Sequence, residues 1–261
     1  MSANGTEKVT IVRPLALLLL AVGVVALAVF AFIHQRKRVC EEVAVSIMYS
    51  GEHKPVSEKE ILSLIASNGV EIIGTEERAV DIAAIYSALG KNPFIKEVKP
   101  MYFAGSTLNI KIELHKLLVH VYPASGNDFF ICEDGTILPY SPRVKERLLI
   151  AAGNIPELNK QTKSIATAGK TLNSIFNISK LIVADDFFKA QFKQLYVNEE
   201  REFELPASVG KHIVLLGDGS NAEEQLEQLK TAYSNGFAFI GPDKYCQLDL
   251  RYKNRIIAKK R

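Results

Sequence analysis

From Leu15 to Ile33 the chain runs 19 residues without a charge, bounded by Arg13 before it and by Arg36, Lys37 and Arg38 after it. A helix needs about 20 apolar residues to cross a hydrocarbon core, at about 1.5 Å of rise per residue. The stretch therefore predicts a transmembrane helix over residues 14–35. A cleavable signal carries a shorter apolar core. The small-x-small triplet here, Ala26-Leu27-Ala28, lies inside the run, so the expectation is an uncleaved anchor. Lys8, Arg13 and the amino group precede the span while Arg36 to Arg38 follow it. Counted alone, these charges slightly favour a cytoplasmic C-terminal part.

Taken whole, the chain of 261 residues has an ordinary globular composition, 48% hydrophobic and 23% charged, with length enough for two small domains. A net charge of +3 selects no class of partner. Cys40, Cys132 and Cys246 are odd in number and far apart, so their spacing outlines neither a disulfide framework nor paired metal ligands.

After a linker over 36–42 the apolar period changes repeatedly. Val43, Val45, Ile47 and Tyr49 alternate as a strand. Ser57 and Glu60 form a capping box before the stripe Ile61, Leu62, Leu64 and Ile65. Thr75, with Glu76 and Glu77 in the first turn, opens a second helix that carries Ile82, Ile85, Tyr86 and Leu89 and stops at Gly90. Strands from Phe94 to Phe103 and from Thr107 to Leu114 then complete a β-α-α-β-β unit over 43–114, the order of a POTRA module.

Residues 115–261 read mostly as sheet. Strands are expected at Leu117 to Tyr122, Asp128 to Cys132 and Ile137-Leu138, then a helix or a strand between Val144 and Ala152. A helix over 170–184 and another capped by Asp185-Asp186 follow, then a hairpin through Leu195 and Leu205 and a buried strand from Ile213 to Leu216. Ser220 and Glu223 make a second capping box. The fold class is α+β: one N-terminal transmembrane helix, a POTRA domain, and a mostly antiparallel β domain with a few helices.

The last segment, Tyr245 to Ala258, alternates with Cys246, Leu248, Leu250 and Tyr252 on one side and Tyr245, Gln247, Asp249 and Arg251 on the other. It predicts a single edge strand over 245–258 with one buried face. An uncovered edge offers backbone donors and acceptors to a partner's strand. The same alternation also suits a terminal strand that serves only the core.

Chemistry-bearing patterns are sparse. His34, His53, His115, His120 and His212 contain no i,i+4 pair around a glutamate, and no G-x-S-x-G or phosphate-cradling loop occurs, so neither cofactor nor catalytic metal is expected. Gly217-Asp218-Gly219-Ser220 and Glu133-Asp134-Gly135 read as turns. The tail Lys259-Lys260-Arg261 lacks interleaved aromatics, which disfavours nucleic acid. No small-molecule substrate is implied.

The element order, the strand pair FFICEDGTILP at Phe129 to Pro139 and the segment DLRYKNRII at Asp249 to Ile257 together resemble the FtsQ/DivIB family of bacterial cell-division proteins. The family's frequent early proline is missing between His115 and Val121. The resemblance implies a cytoplasmic tail over 1–13, one span of the cytoplasmic (inner) membrane, and POTRA and β domains on the outer, periplasmic side. It thereby overrules the charge count, since large domains translocate regardless of flanking charge. It further implies a non-enzymatic divisome scaffold that supports septal peptidoglycan synthesis. Its C-terminal strand would pair with FtsB, itself coupled to FtsL, and its POTRA domain would face other division proteins. Carried over by position, the partner-binding residues are Asp249, Leu250, Arg251, Tyr252, Lys253, Asn254, Arg255, Ile256 and Ile257, with Tyr252 matching the family's contact tyrosine. Two other readings stay open: a POTRA-bearing translocation or chaperone component, and a membrane-tethered hydrolase using Asp134 or Asp218.

Overall fold

A computed structural model describes residues 17–30, 38–51, 54–159, 161–237 and 244–261. Residues 17–30 form helix α1, whose leucine, valine and phenylalanine side chains are all exposed. Among the described residues no helix is long and apolar enough to cross a membrane, and 14–16 and 31–35 of the expected span lie outside them. The folded part divides into two compact units, the second gathering Glu113–Arg261 with Met48–Ser57 and Asn92–Glu97.

A four-stranded sheet contains β1 (Glu42–Met48), β2 (Ile95–Val98), β3 (Tyr102–Ala104) and β4 (Thr107–Leu114). Its order is β1-β4-β2, with β3 also pairing β4. Strand β4 buries Leu108, Ile110, Ile112 and Leu114 on alternate positions, as its period requires. Helix α2 (Glu58–Ser67) buries Ile61 and Ile65, and α3 (Ile82–Leu89) buries Ile85, Ala88 and Leu89. Two expectations fail here. The strand over 94–103 is parted into β2 and β3 around Pro100, which has no N–H for a ladder. The second helix begins at Ile82 rather than near Thr75, because the Asp81 carboxylate accepts the Ala84 N–H at 2.9 Å. The backbone upstream is committed elsewhere: Gly74 N–H bonds to Cys40 O at 2.7 Å, Cys40 N–H to Thr75 O at 2.9 Å and Glu77 N–H to Arg38 O at 2.9 Å.

The second unit is built on nine strands: β5 (Leu117–Pro123), β6 (Phe129–Cys132), β7 (Ile137–Pro139), β8 (Leu149–Gly153), β9 (Gln194–Val197), β10 (Phe203–Pro206), β11 (Ile213–Gly217), β12 (Tyr245–Asp249) and β13 (Ile257–Lys260). They lie in the order β13-β12-β11-β10-β9-β8-β5-β6-β7. Of the stretch from Val144 to Ala152, ambiguous in sequence, Leu149 onward enters strand β8, and 144–148 take neither helix nor strand. The sheet is mostly antiparallel, as expected, but mixed, since β5–β8, β8–β9 and β11–β12 are parallel. Parallel neighbours need a crossover, and helices supply two of them. Helices α4 (Lys170–Ala184) and α5 (Asp186–Gln191) connect β8 to β9, and α6 (Ala222–Ala232) lies between β11 and β12.

Asp185 caps α5 as expected, accepting the N–H groups of Phe187 and Phe188 at 2.9 and 3.4 Å. The second capping box does not form: α6 is preceded by Asn221, and the Ser220 N–H instead donates to the Asp218 carboxylate at 3.1 Å. Leu172, Ile175, Ile178 and Ile182 of α4 and Leu226 and Leu229 of α6 join one cluster with Val119, Leu195, Leu205, Val214 and Leu248 of the sheet. Each such aliphatic side chain contributes about 1.5–3 kcal/mol on burial. Gly153 is obligatory where β8 meets β9. Its φ is +114°, and an added Cβ would lie 2.1 Å from the Val197 carbonyl oxygen.

The two ends of the sheet differ. At β7, the Ile137 N–H bonds to Lys163 O at 2.9 Å, Thr136 bridges to Ser164, and Pro139 carries no N–H. At the other end all four residues of β13 are exposed.

Candidate functional site

The C-terminal segment is not one strand. Tyr252 to Arg255 form a turn closed by the Arg255 N–H to Tyr252 O at 3.2 Å, and β13 folds back antiparallel on β12 with Leu248 opposite Ala258 and Asp249 opposite Ile257. The outer flank of β12 is therefore occupied by the chain's own backbone, and the sheet terminates at β13. The sequence reason is local. Asn254 adopts φ +58°, a left-handed conformation that asparagine tolerates better than other side chains with a Cβ. Asn254 also stands between Lys253 and Arg255, so no side chain of those three gains by burial.

Hydrogen-bond parity fixes which residues of β13 face outward. Leu250 N–H donates to Leu215 O at 3.0 Å, so Leu248 aims its main-chain groups at β11, while Gln247 and Asp249 aim theirs at β13. Their partners Lys259 and Ile257 reciprocate, and the Arg261 N–H likewise bonds inward to Lys244 O at 3.2 Å. Ala258 is left with its N–H and C=O directed away from the sheet, whereas the Lys260 carbonyl accepts the Cys246 thiol at 3.5 Å. The Arg261 guanidinium holds the strand end by donating to Gly210 O at 3.1 Å and Lys211 O at 2.9 Å.

The residues expected to contact a partner separate into supports and surface. Asp249 and Leu250 are buried. The Asp249 carboxylate accepts the Arg251 guanidinium at 3.0 and 2.7 Å and the Arg251 N–H at 3.0 Å, and Arg251 reaches Glu202 at 3.0 Å. Arg251 holds the Asp249 carboxyl below its usual range although burial opposes this, and Asp249 in turn raises the guanidinium. Gln225 of α6 ties the segment down, donating to Leu216 O at 3.1 Å and Leu250 O at 2.9 Å. Tyr252, Lys253, Asn254, Arg255 and Ile257 are exposed, whereas Ile256 leans on the core. A groove of about 530 Å³ between α6 and the turn is lined by Gln228, Thr231, Ala232, Asn254, Arg255 and Ile256, among others.

The two aspartates considered as catalytic groups are both engaged. Asp218 binds Lys170 at 2.9 Å, and the Ser220 hydroxyl and N–H together with Lys170 hold its carboxyl at about 2. Asp134 pairs with His115 at 2.7 Å. Burial pushes Asp134 up, but the Thr136 and His115 hydrogen bonds outweigh it, and its carboxyl sits below the usual value. Cys132 joins these two: one donor atom from each of His115, Cys132 and Asp134 lies within 4.8 Å of the other two. Sequence spacing did not pair them because His115 precedes β5 while Cys132 and Asp134 close β6, and only the antiparallel return of β6 brings them together.

Residues 118–259 match the family described as FtsQ/DivIB, C-terminal related, and residues 38–113 match a POTRA-like domain. A comparison with curated proteins finds no match. The first match spans more than half of the chain and carries both the nine-stranded sheet and the C-terminal hairpin. The chain thus belongs to the FtsQ/DivIB family, as a POTRA-bearing protein associated with cell division.

Proposed function

We propose that this chain is a non-enzymatic scaffold of the division machinery, anchored in the cytoplasmic membrane by the 14–35 span, with its N-terminus in the cytoplasm and both folded units outside. It captures FtsB, and through it FtsL, by taking a partner strand alongside β13, so supporting septal peptidoglycan synthesis. Its POTRA domain engages further division proteins.

The open edge of β13 is the observation that carries this reading, since Ala258 there aims its main-chain donor and acceptor outward. Backbone bonds supply affinity, and Tyr252 with the adjoining groove supplies selectivity. Lys253, Arg255, Lys259 and Lys260 cluster at the same place, so an acidic partner segment would be drawn to it.

A fluorescent protein fused to the N-terminus, imaged in dividing cells, should concentrate at the septum, and the full chain should co-purify FtsB and FtsL. An even distribution round the envelope with neither protein retained would defeat the proposal. Capture of many unrelated extended peptides would instead favour a chaperone-like POTRA protein.

A further inference from the structure

We propose that His115, Cys132 and Asp134 form a zinc-binding site on the second unit. The three offer a nitrogen, a sulfur and an oxygen, with the donor atoms within 4.8 Å of one another. This mixed set suits zinc, whereas calcium and magnesium take oxygen alone. Ligand bonds of about 2.0–2.3 Å in a tetrahedron place donor atoms roughly 3.3–3.8 Å apart. His115 Nδ1 and Asp134 Oδ2, now 2.7 Å apart, would separate by about 1 Å or less, and Cys132 Sγ would close by a similar amount.

The framework holds these donors in place without metal. Cys132 N–H bonds to Thr136 O at 2.9 Å and Gly135 N–H to Cys132 O at 2.9 Å, which fixes the turn that carries Asp134. Thr136 N–H occupies Asp134 Oδ1 at 3.0 Å, leaving Oδ2 for the ion and orienting it as an outer partner does in zinc sites. The His115 main chain is held by its N–H to Phe94 O at 3.0 Å.

Access is graded. Cys132 is fully buried, the His115 side chain is 13% exposed and that of Asp134 is 36% exposed, so an ion approaches from the aspartate side and a water completes its shell. Neighbouring cations are already offset, Lys116 by Glu133 at 2.7 Å and Lys96 by Glu113 at 2.6 Å. On binding, the thiol proton leaves to solvent, and Nδ1 gives up the proton that bridges it to Asp134, so that the neutral imidazole carries its proton on Nε2. Thiolate and carboxylate then balance the divalent charge.

The test uses the purified full chain, stripped of metal under reducing conditions and titrated with cobalt(II). One equivalent should produce a thiolate-to-cobalt charge-transfer band that zinc abolishes. Cys132→Ser should remove the band, Cys40→Ser and Cys246→Ser should keep it, and His115→Gln and Asp134→Asn should weaken binding by more than about tenfold. Because Cys132 is buried, His115→Gln doubles as a fold-preserving check: zinc should raise the melting temperature of the wild type but not of this variant. The proposal is overturned if the wild type gives no band, if the band survives Cys132→Ser or depends on Cys246, or if zinc stabilises His115→Gln as much as the wild type.

Discussion

Replacing Ala258 by proline deletes an outward main-chain donor while leaving the β12–β13 ladder intact, because that ladder uses Ile257 and Lys259. A net backbone hydrogen bond contributes about 0.5–1.5 kcal/mol, or roughly 2- to 13-fold in Kd. The ring also stands where an incoming strand would approach, so the combined expectation is a loss of about tenfold or more. Titration of the full chain in detergent with FtsB–FtsL reads the affinity, and thermal melting reads the fold. Lys259→Pro is the contrasting variant: its N–H faces inward, so it should lower the melting temperature as well as the affinity. Asn254→Pro, which a continuous strand would suggest, cannot serve, since φ +58° is closed to proline and the turn itself would be rebuilt. A folded Ala258→Pro protein that binds within twofold of wild type would refute strand addition at β13.

Gly153→Ala should destabilise the second unit by about 1–3 kcal/mol or more in a urea titration, as its Cβ meets the Val197 carbonyl oxygen. Gln225→Leu should cost roughly 1–3 kcal/mol by the same measurement, stranding the carbonyls of Leu216 and Leu250, and should loosen the C-terminal hairpin before the rest of the sheet in hydrogen exchange. The folded-state pKa of Asp249 is depressed, so its pair with Arg251 stabilises above the unfolded value of about 3.9 and is lost as pH falls through the lower folded value. Asp249→Asn should therefore be less stable than wild type at about pH 7, with the gap narrowing in acid below about pH 4. A gap independent of pH would show that the pair contributes nothing through its charge.

The sequence was most legible where one face of an element is buried and the other wet. The alternation of Leu108, Ile110, Ile112 and Leu114 reappears as a buried face, and of the apolar residues Leu172, Ile175, Phe176 and Leu181 that mark the helix over 170–184, the first two are fully buried and the other two only partly. It misled where two local signals competed. Thr75 with Glu76 and Glu77 resembles a helix start, yet the backbone there is claimed by Arg38 and Cys40, a long-range pairing invisible to periodicity. Tyr245 to Ala258 has the right alternation for one strand in its first half, but Asn254 in a polar run was the sign of a reversal. The grouping of His115 with Cys132 and Asp134 was out of reach, because it depends on strand register, which spacing along the chain does not encode.

A sheet blunted at β7 and bare at β13 has only one place to grow among the described residues. Two copies meeting through β13 would use up both offers and close on themselves, whereas a fibre requires a second, different site on every copy. Strand capture at β13, as proposed, would thus be self-limiting: one adhesive border that does not seed runaway polymerisation.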